Sequence, residues 1–167
     1  NTRPSKGWIL AFHPDLICGT ALGANIRDYT FFSYRPEEAL HVSLREKQVI
    51  LELLDKINEE LQRCIDCYSQ KIISKYIELL LDYCERFYER QFITRNEANK
   101  KIIERFDRLL DDHFNTIQSQ SSDLPTIEEC VRVLRLSPAY FNDLLEYETG
   151  KSYREYLQFQ RFEIAKE

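Results

Sequence analysis

Leu134-Arg135-Leu136-Ser137-Pro138-Ala139-Tyr140-Phe141, closed further on by Thr149-Gly150-Lys151-Ser152, is the stretch that decides how this chain reads. Ser137 is a good N-cap, because its hydroxyl accepts from amides that open a helix. Pro138 stands at the first helical position, where its missing N–H is no loss. Gly150 suits the C′ position, where the backbone turns left-handed. Another short helix is expected just before, from about Thr126 to Leu134, with Pro125 and Thr126 as start signals. Only Arg135 and Leu136 separate the two. A third short helix starts at Ser152 and runs on to the last residues. A short helix, a very tight turn and a capped helix are the outline of a helix-turn-helix. A generic helical hairpin also has short turns, so spacing alone leaves both readings open.

The pattern N-terminal to this unit is helical too. Ile102, Ile103, Phe106, Leu109, Leu110 and Phe114 share one face of a helix expected over about Asn99 to Ile117. The polar stretch Gln118-Ser119-Gln120-Ser121-Ser122-Asp123 reads as a linker. Before a break at Thr94-Arg95-Asn96-Glu97, a long helix from about Ser69 to Phe92 carries two apolar stripes. One is Ile73, Ile77, Leu80, Cys84 and Phe87; the other is Ile72, Tyr76, Leu79, Tyr83 and Tyr88. A helix that is apolar on two sides must be covered on two sides. An earlier helix from Ser43, with a Ser43–Glu46 capping box, can cover one side through Leu53, Ile57 and Leu61. The other side is left for a preceding domain or for a second copy of the chain. Residues 1–42 read as irregular: an apolar run from Trp8 ended by Pro14, a short helix between Thr20 and Tyr29, and a strand at Thr30-Phe31-Phe32-Ser33-Tyr34.

Composition agrees with a mainly all-α chain. The 167 residues include only 4 Gly and 5 Pro, too few turn formers for a β-sandwich or barrel. No apolar run is long enough to span a membrane, and no signal peptide opens the chain. Five Cys, an odd number, scattered through helical patterns, suit a reducing, cytoplasmic compartment. The net charge of −5 argues against a simple electrostatic nucleic-acid binder. The absence of Met, and the unfinished helical pattern at Ile164-Ala165-Lys166-Glu167, read as a piece of a longer protein.

Other motifs yield to plainer readings. Cys64-Ile65-Asp66-Cys67 lacks the second ligand pair a zinc site needs and the βαβ context of a redox motif. Gly150-Lys151-Ser152 mimics the end of a phosphate loop, but Leu145 stands where the first glycine belongs. His13, His41 and His113 sit near no nucleophile–carboxylate pattern. Glu37-Glu38, Glu59-Glu60 and Asp111-Asp112 fit solvated faces. No catalytic residue, metal or cofactor is expected.

The stretch from Leu124 to Glu167 resembles the AraC-type family of bacterial transcription regulators. Leu136-Ser137-Pro138-Ala139-Tyr140-Phe141, Glu148-Thr149-Gly150-Lys151-Ser152, Tyr156, Arg161 and Ala165 carry the likeness. The resemblance implies an organisation. Residues 1–42 would end a cupin-like sensor domain. Residues 43–98 would be an antiparallel dimerisation pair, with Ile72, Tyr76, Leu79 and Tyr83 at the contact. Residues 99–167 would hold the first helix-turn-helix and the start of the helix that joins it to a second. Its recognition helix would run from Pro138 to Tyr147. Ala139, Asn142, Asp143 and Glu146 would face bases, and Ser137, Tyr140, Lys151 and Arg154 phosphates. The implied protein is a dimeric, sequence-specific regulator of double-stranded DNA, responsive to a small-molecule effector held by the barrel. Two departures stand out: Arg135 replaces the Gly common in the family's turn, and residues 123–167 hold 6 Lys and Arg against 9 Asp and Glu. The acidic balance favours the alternative, a helical protein–protein interaction module that keeps the fold and reads no DNA.

Overall fold

A computed structural model describes residues 7–117 and 125–164. The linker expected at 118–123 and the helical continuation at 165–167, with Ala165, lie outside the described residues. Every regular element among those described is helical. The seven α-helices are α1 (Ala21–Asn25), α2 (Leu44–Leu61), α3 (Ser69–Thr94), α4 (Asn96–Ile117), α5 (Ile127–Leu134), α6 (Pro138–Thr149) and α7 (Tyr153–Ile164). Three single 3₁₀ turns, Pro14–Leu16, Thr30–Ser33 and Pro36–Glu38, punctuate the N-terminal segment.

The caps explain the boundaries. The Ser43 hydroxyl accepts from the Glu46 amide while the Glu46 carboxylate accepts from the Ser43 amide at 2.7 Å, the capping box expected for α2. α3 has its own device. The Asp66 carboxylate accepts from the amides of Tyr68 and Ser69 at 2.8 and 3.0 Å, which holds it below the usual carboxylate range. Asp66 thus gives the Cys64–Cys67 loop a structural job, while both cysteines stay exposed and unbridged.

α2 and α3 form an antiparallel pair that buries Leu53 and Ile57 of α2, but Leu61 is left 63% exposed. A bidentate ion pair, Arg90 to Glu46 at 2.7 and 3.0 Å, ties the end of α3 to the start of α2. The chain's own N-terminal segment packs on α3 beside Ile57 of α2, mainly over the first stripe; of the second stripe it reaches Tyr76 and Tyr88 and leaves Leu79 exposed. Leu22 and Tyr29 are buried with Ile73, Ile77 and Leu81, and Phe12, Leu16, Ile26 and Phe31 flank them. Polar contacts fix this covering: the Gln70 amide donates to the carbonyls of Asp15 and Leu16, and the Tyr29 hydroxyl donates to Asp82 at 2.5 Å.

The strand expected at Thr30–Tyr34 is instead a 3₁₀ turn. No partner strand is present among the described residues, and the aromatics gain more by stacking on helices. Phe31 stacks on Tyr88 at 5.5 Å, and Tyr34 meets Tyr88 and Tyr140 edge-on at 5.1 Å each.

α3 and α4 are separated by Arg95 alone, so the break is shorter and α4 starts earlier than the sequence suggests. Asn99, 1% exposed, bolts this corner. Its amide donates to the Phe92 carbonyl of α3 at 2.9 Å and to Glu148 of α6 at 3.2 Å. Beyond it, α4 to α7 share a core of Phe106, Leu110, Val131, Leu134, Phe141, Leu145 and Leu157.

Candidate nucleic-acid interface

The unit α5–turn–α6 forms as expected. The Thr126 capping box starts α5, and Arg135 ends it at φ +62°, the left-handed conformation that Gly adopts without penalty. The Leu136 amide reaches back to the Val131 carbonyl at 3.1 Å and closes the turn. The Ser137 hydroxyl then accepts from the Tyr140 amide, Pro138 opens α6, and Gly150 ends it at φ +68°. α6 thus ends at the glycine cap the sequence marks, two residues beyond the Tyr147 at which the resemblance ends the recognition helix.

The outward face of α6 carries Ala139, Asn142, Asp143 and Glu146, the four residues expected to read bases. Glu146 is exposed and Ala139 half-buried. The other two have partners within the chain. The Asn142 side-chain oxygen accepts from the Tyr153 amide at 3.1 Å, which caps the start of α7. The Asp143 carboxylate accepts from the hydroxyls of Thr30 and Tyr34 at 2.5 and 2.6 Å. Burial, followed by the bond to Asp143, pushes the Tyr34 hydroxyl well above the ordinary tyrosine range, so it stays a donor.

Two of the four expected phosphate contacts do not fit this arrangement. Ser137 and Tyr140 are both 3% exposed. Tyr140 is buried with Phe92 and Leu144. Ser137 meets a carboxylate of its own chain: Glu38, 4% exposed, accepts from the Ser137 amide at 2.6 Å and from its hydroxyl at 2.5 Å. Glu38 also accepts from the Arg35 amide at 2.7 Å. An anion at a helix N-terminus is favoured by the free amides and the helix dipole. Glu38 therefore occupies the anion position at the start of α6, where the phosphate contact of Ser137 is expected. Lys151, stacked 4.9 Å above the Phe159 ring, and Arg154, exposed on α7, remain at the surface.

Of the expected dimer residues, Tyr76 lies at the edge of the N-terminal core, and Ile72 and Tyr83 are half-buried. Leu79 is 43% exposed. No group of three or more His, Cys, Asp or Glu stands in a metal-holding arrangement among the described residues. No described helix is long and apolar enough to cross a membrane.

Sequence reasoning missed Glu38, Thr30 and Tyr34 as partners of α6. They lie 99 to 113 residues from their targets, beyond any local pattern. No protein-family model matches the chain, and no curated protein or solved structure matches it.

Proposed function

We propose that this chain is the first DNA-reading unit, with its regulatory neck, of a sequence-specific transcription regulator of the AraC type. The observation that carries the reading is the α5–α6 unit: a three-residue turn with a left-handed Arg135, then a Ser137–Pro138 start that presents a short polar face. In this conformation the segment 30–38 clasps α6, and DNA reading requires its release. Self-association through Ile72, Leu79 and Tyr83, a cytoplasmic setting and an effector that biases the clasp belong to the same reading.

A second reading has an observation in its favour. Asp143 and Ser137 are satisfied within the chain, as a helical interaction module that reads no DNA would have them.

Selection from a random duplex library, with the wild-type chain and with Glu38→Ala, separates the two. The regulator reading expects one enriched sequence, bound more tightly by Glu38→Ala in fluorescence anisotropy. Asn142→Ala then relaxes preference at one base pair, a loss of about 1–3 kcal/mol of discrimination. Lys151→Ala weakens all sequences alike and flattens the salt dependence. No enrichment with either chain overturns the proposal in favour of the interaction module.

A further inference from the structure

A cavity of about 370 Å³ opens at the seam where the clasping segment, α3 and α6 meet. Its apolar walls are aromatic: Phe31, Tyr34, Tyr88, Phe92 and Tyr147. Several of these rings hold each other in place. Phe31 stacks on Tyr88 at an interplanar angle of 24°, and Phe92 on Tyr147 at 28°. The polar lining is almost wholly anionic. Glu85 and Glu89 come from α3, Asp143 and Glu146 from α6, and Asp28 from the N-terminal segment. No Lys or Arg lines the cavity among the described residues. Burial, then repulsion from Asp82 outside the cavity, and then from Glu89, Asp143 and Asp28 of its lining, raise Glu85 above its ordinary range.

Each feature narrows the ligand. Five carboxylates around one space exclude a phosphate, nucleotide or carboxylic acid. A hard metal ion wants a shell of close oxygens, and no three of the described acids are grouped so as to hold one. Aromatic faces beside carboxylates suit an organic ammonium, whose charge is attracted to the ring face and whose methylenes bury against it. Four of the acids fall in two pairs, Glu85 and Glu89 one turn apart on α3, and Asp143 and Glu146 one turn apart on α6. We infer that the seam cavity binds a small α,ω-diammonium ion, one ammonium toward Glu85 and Glu89 and the other toward Asp143 and Glu146. Such a ligand bridges α3 to α6 and tightens the clasp. That regulatory consequence rests on the proposed DNA reading; the binding itself does not.

The test is isothermal titration calorimetry of the 167-residue chain with 1,5-diaminopentane, without DNA and at constant ionic strength. NaCl and MgCl₂ serve as controls. The inference expects saturable binding at one site. Glu85→Gln with Glu89→Gln should weaken it at least tenfold, Tyr147→Leu at least threefold, and Glu97→Gln on α4 not at all. Glu85 and Glu89 are exposed, so the double variant should keep the wild-type circular dichroism. If it does not fold, Tyr147→Leu carries the test. No binding beyond the NaCl control, equal heat from MgCl₂, or affinity unmoved by the folded variants overturns the inference. Because no arm contains DNA, failure here is distinct from failure of the regulator reading.

Discussion

Glu38→Ala is the substitution that bears most directly on the clasp. In the docked state the Ser137 amide is buried, and Glu38 is its acceptor. Removing the carboxylate leaves that N–H unsatisfied, at a cost of about 1–3 kcal/mol. It also removes an anion from the start of α6, worth roughly 0.3–2 kcal/mol. The Arg35 amide lies on an exposed residue and is expected to find water, so it adds little. Together these give about 1–5 kcal/mol, lost only from the docked state, since water serves the Ser137 amide once the segment lifts. Urea unfolding followed by tryptophan fluorescence and circular dichroism reads the stability, and hydrogen exchange at residues 28–38 reads the docking. A double-mutant cycle with Ser137→Ala isolates the carboxylate–hydroxyl bond and should return a coupling of about 1 kcal/mol or more. A loss below about 0.5 kcal/mol with unchanged exchange, or strict additivity of the two substitutions, would refute the clasp as described.

Three further variants probe other parts of the chain. Arg135→Gly removes a left-handed penalty of about 1–2 kcal/mol and adds back roughly 0.5–1 of chain entropy. The melting temperature should therefore rise by about 1–3 °C, and a fall would mean that the Arg135 side chain contributes more than its backbone strain. For Arg90→Ala the expected loss is about 1–2 kcal/mol at neutral pH, since its pairing with Glu46 is bidentate but only partly shielded. Burial alone would raise the Glu46 carboxyl, but its bonds to Ser43 and Arg90 outweigh that and lower it. A lowered folded pKa gives stability that is present above the unfolded value and lost as pH falls through the folded one. Denaturation at pH 7 and pH 3 should thus show the variant's deficit shrinking in acid; a deficit constant with pH would sink the argument. Leu79→Lys with Tyr83→Lys should yield a folded monomer by sedimentation velocity where the wild-type chain self-associates, and a monomeric wild type at high concentration would remove the dimer from the proposal.

The helices were legible in the sequence because their signals are local. Ser43 with Glu46, Ser137 with Pro138, and Gly150 act on backbone groups within about four residues, so adjacent letters suffice to find them. The turn at Arg135 was legible for the same reason, although its left-handed backbone on a residue with a side chain was not. The aromatic run Thr30–Tyr34 misled because β propensity measures a fit to a pleated neighbour, and the chain offers these rings helices instead. Residues 7–42 pack on Ile73, Ile77 and Leu81 of α3, a placement set by contacts more than 40 residues apart that no local pattern announces, while Leu79 of the second stripe stays exposed. For the site, the α6 positions expected to face bases came from the family resemblance alone. Their occupancy did not, because Asp143–Tyr34 and Ser137–Glu38 are set by tertiary placement alone.

The one-residue corner at Arg95 has a mechanical consequence. At 1.5 Å per residue α3 is a strut roughly 39 Å long, and the Asn99 bolt joins its far end to α4 and α6 without slack. A flexible tether would dissipate a tilt of α3 as random motion. This joint converts it into displacement: a swing of about 10° at one end carries the other about 7 Å, twice the rise of one base pair. On the proposed DNA reading, the α2–α3 pair would then act as a crank arm for α6.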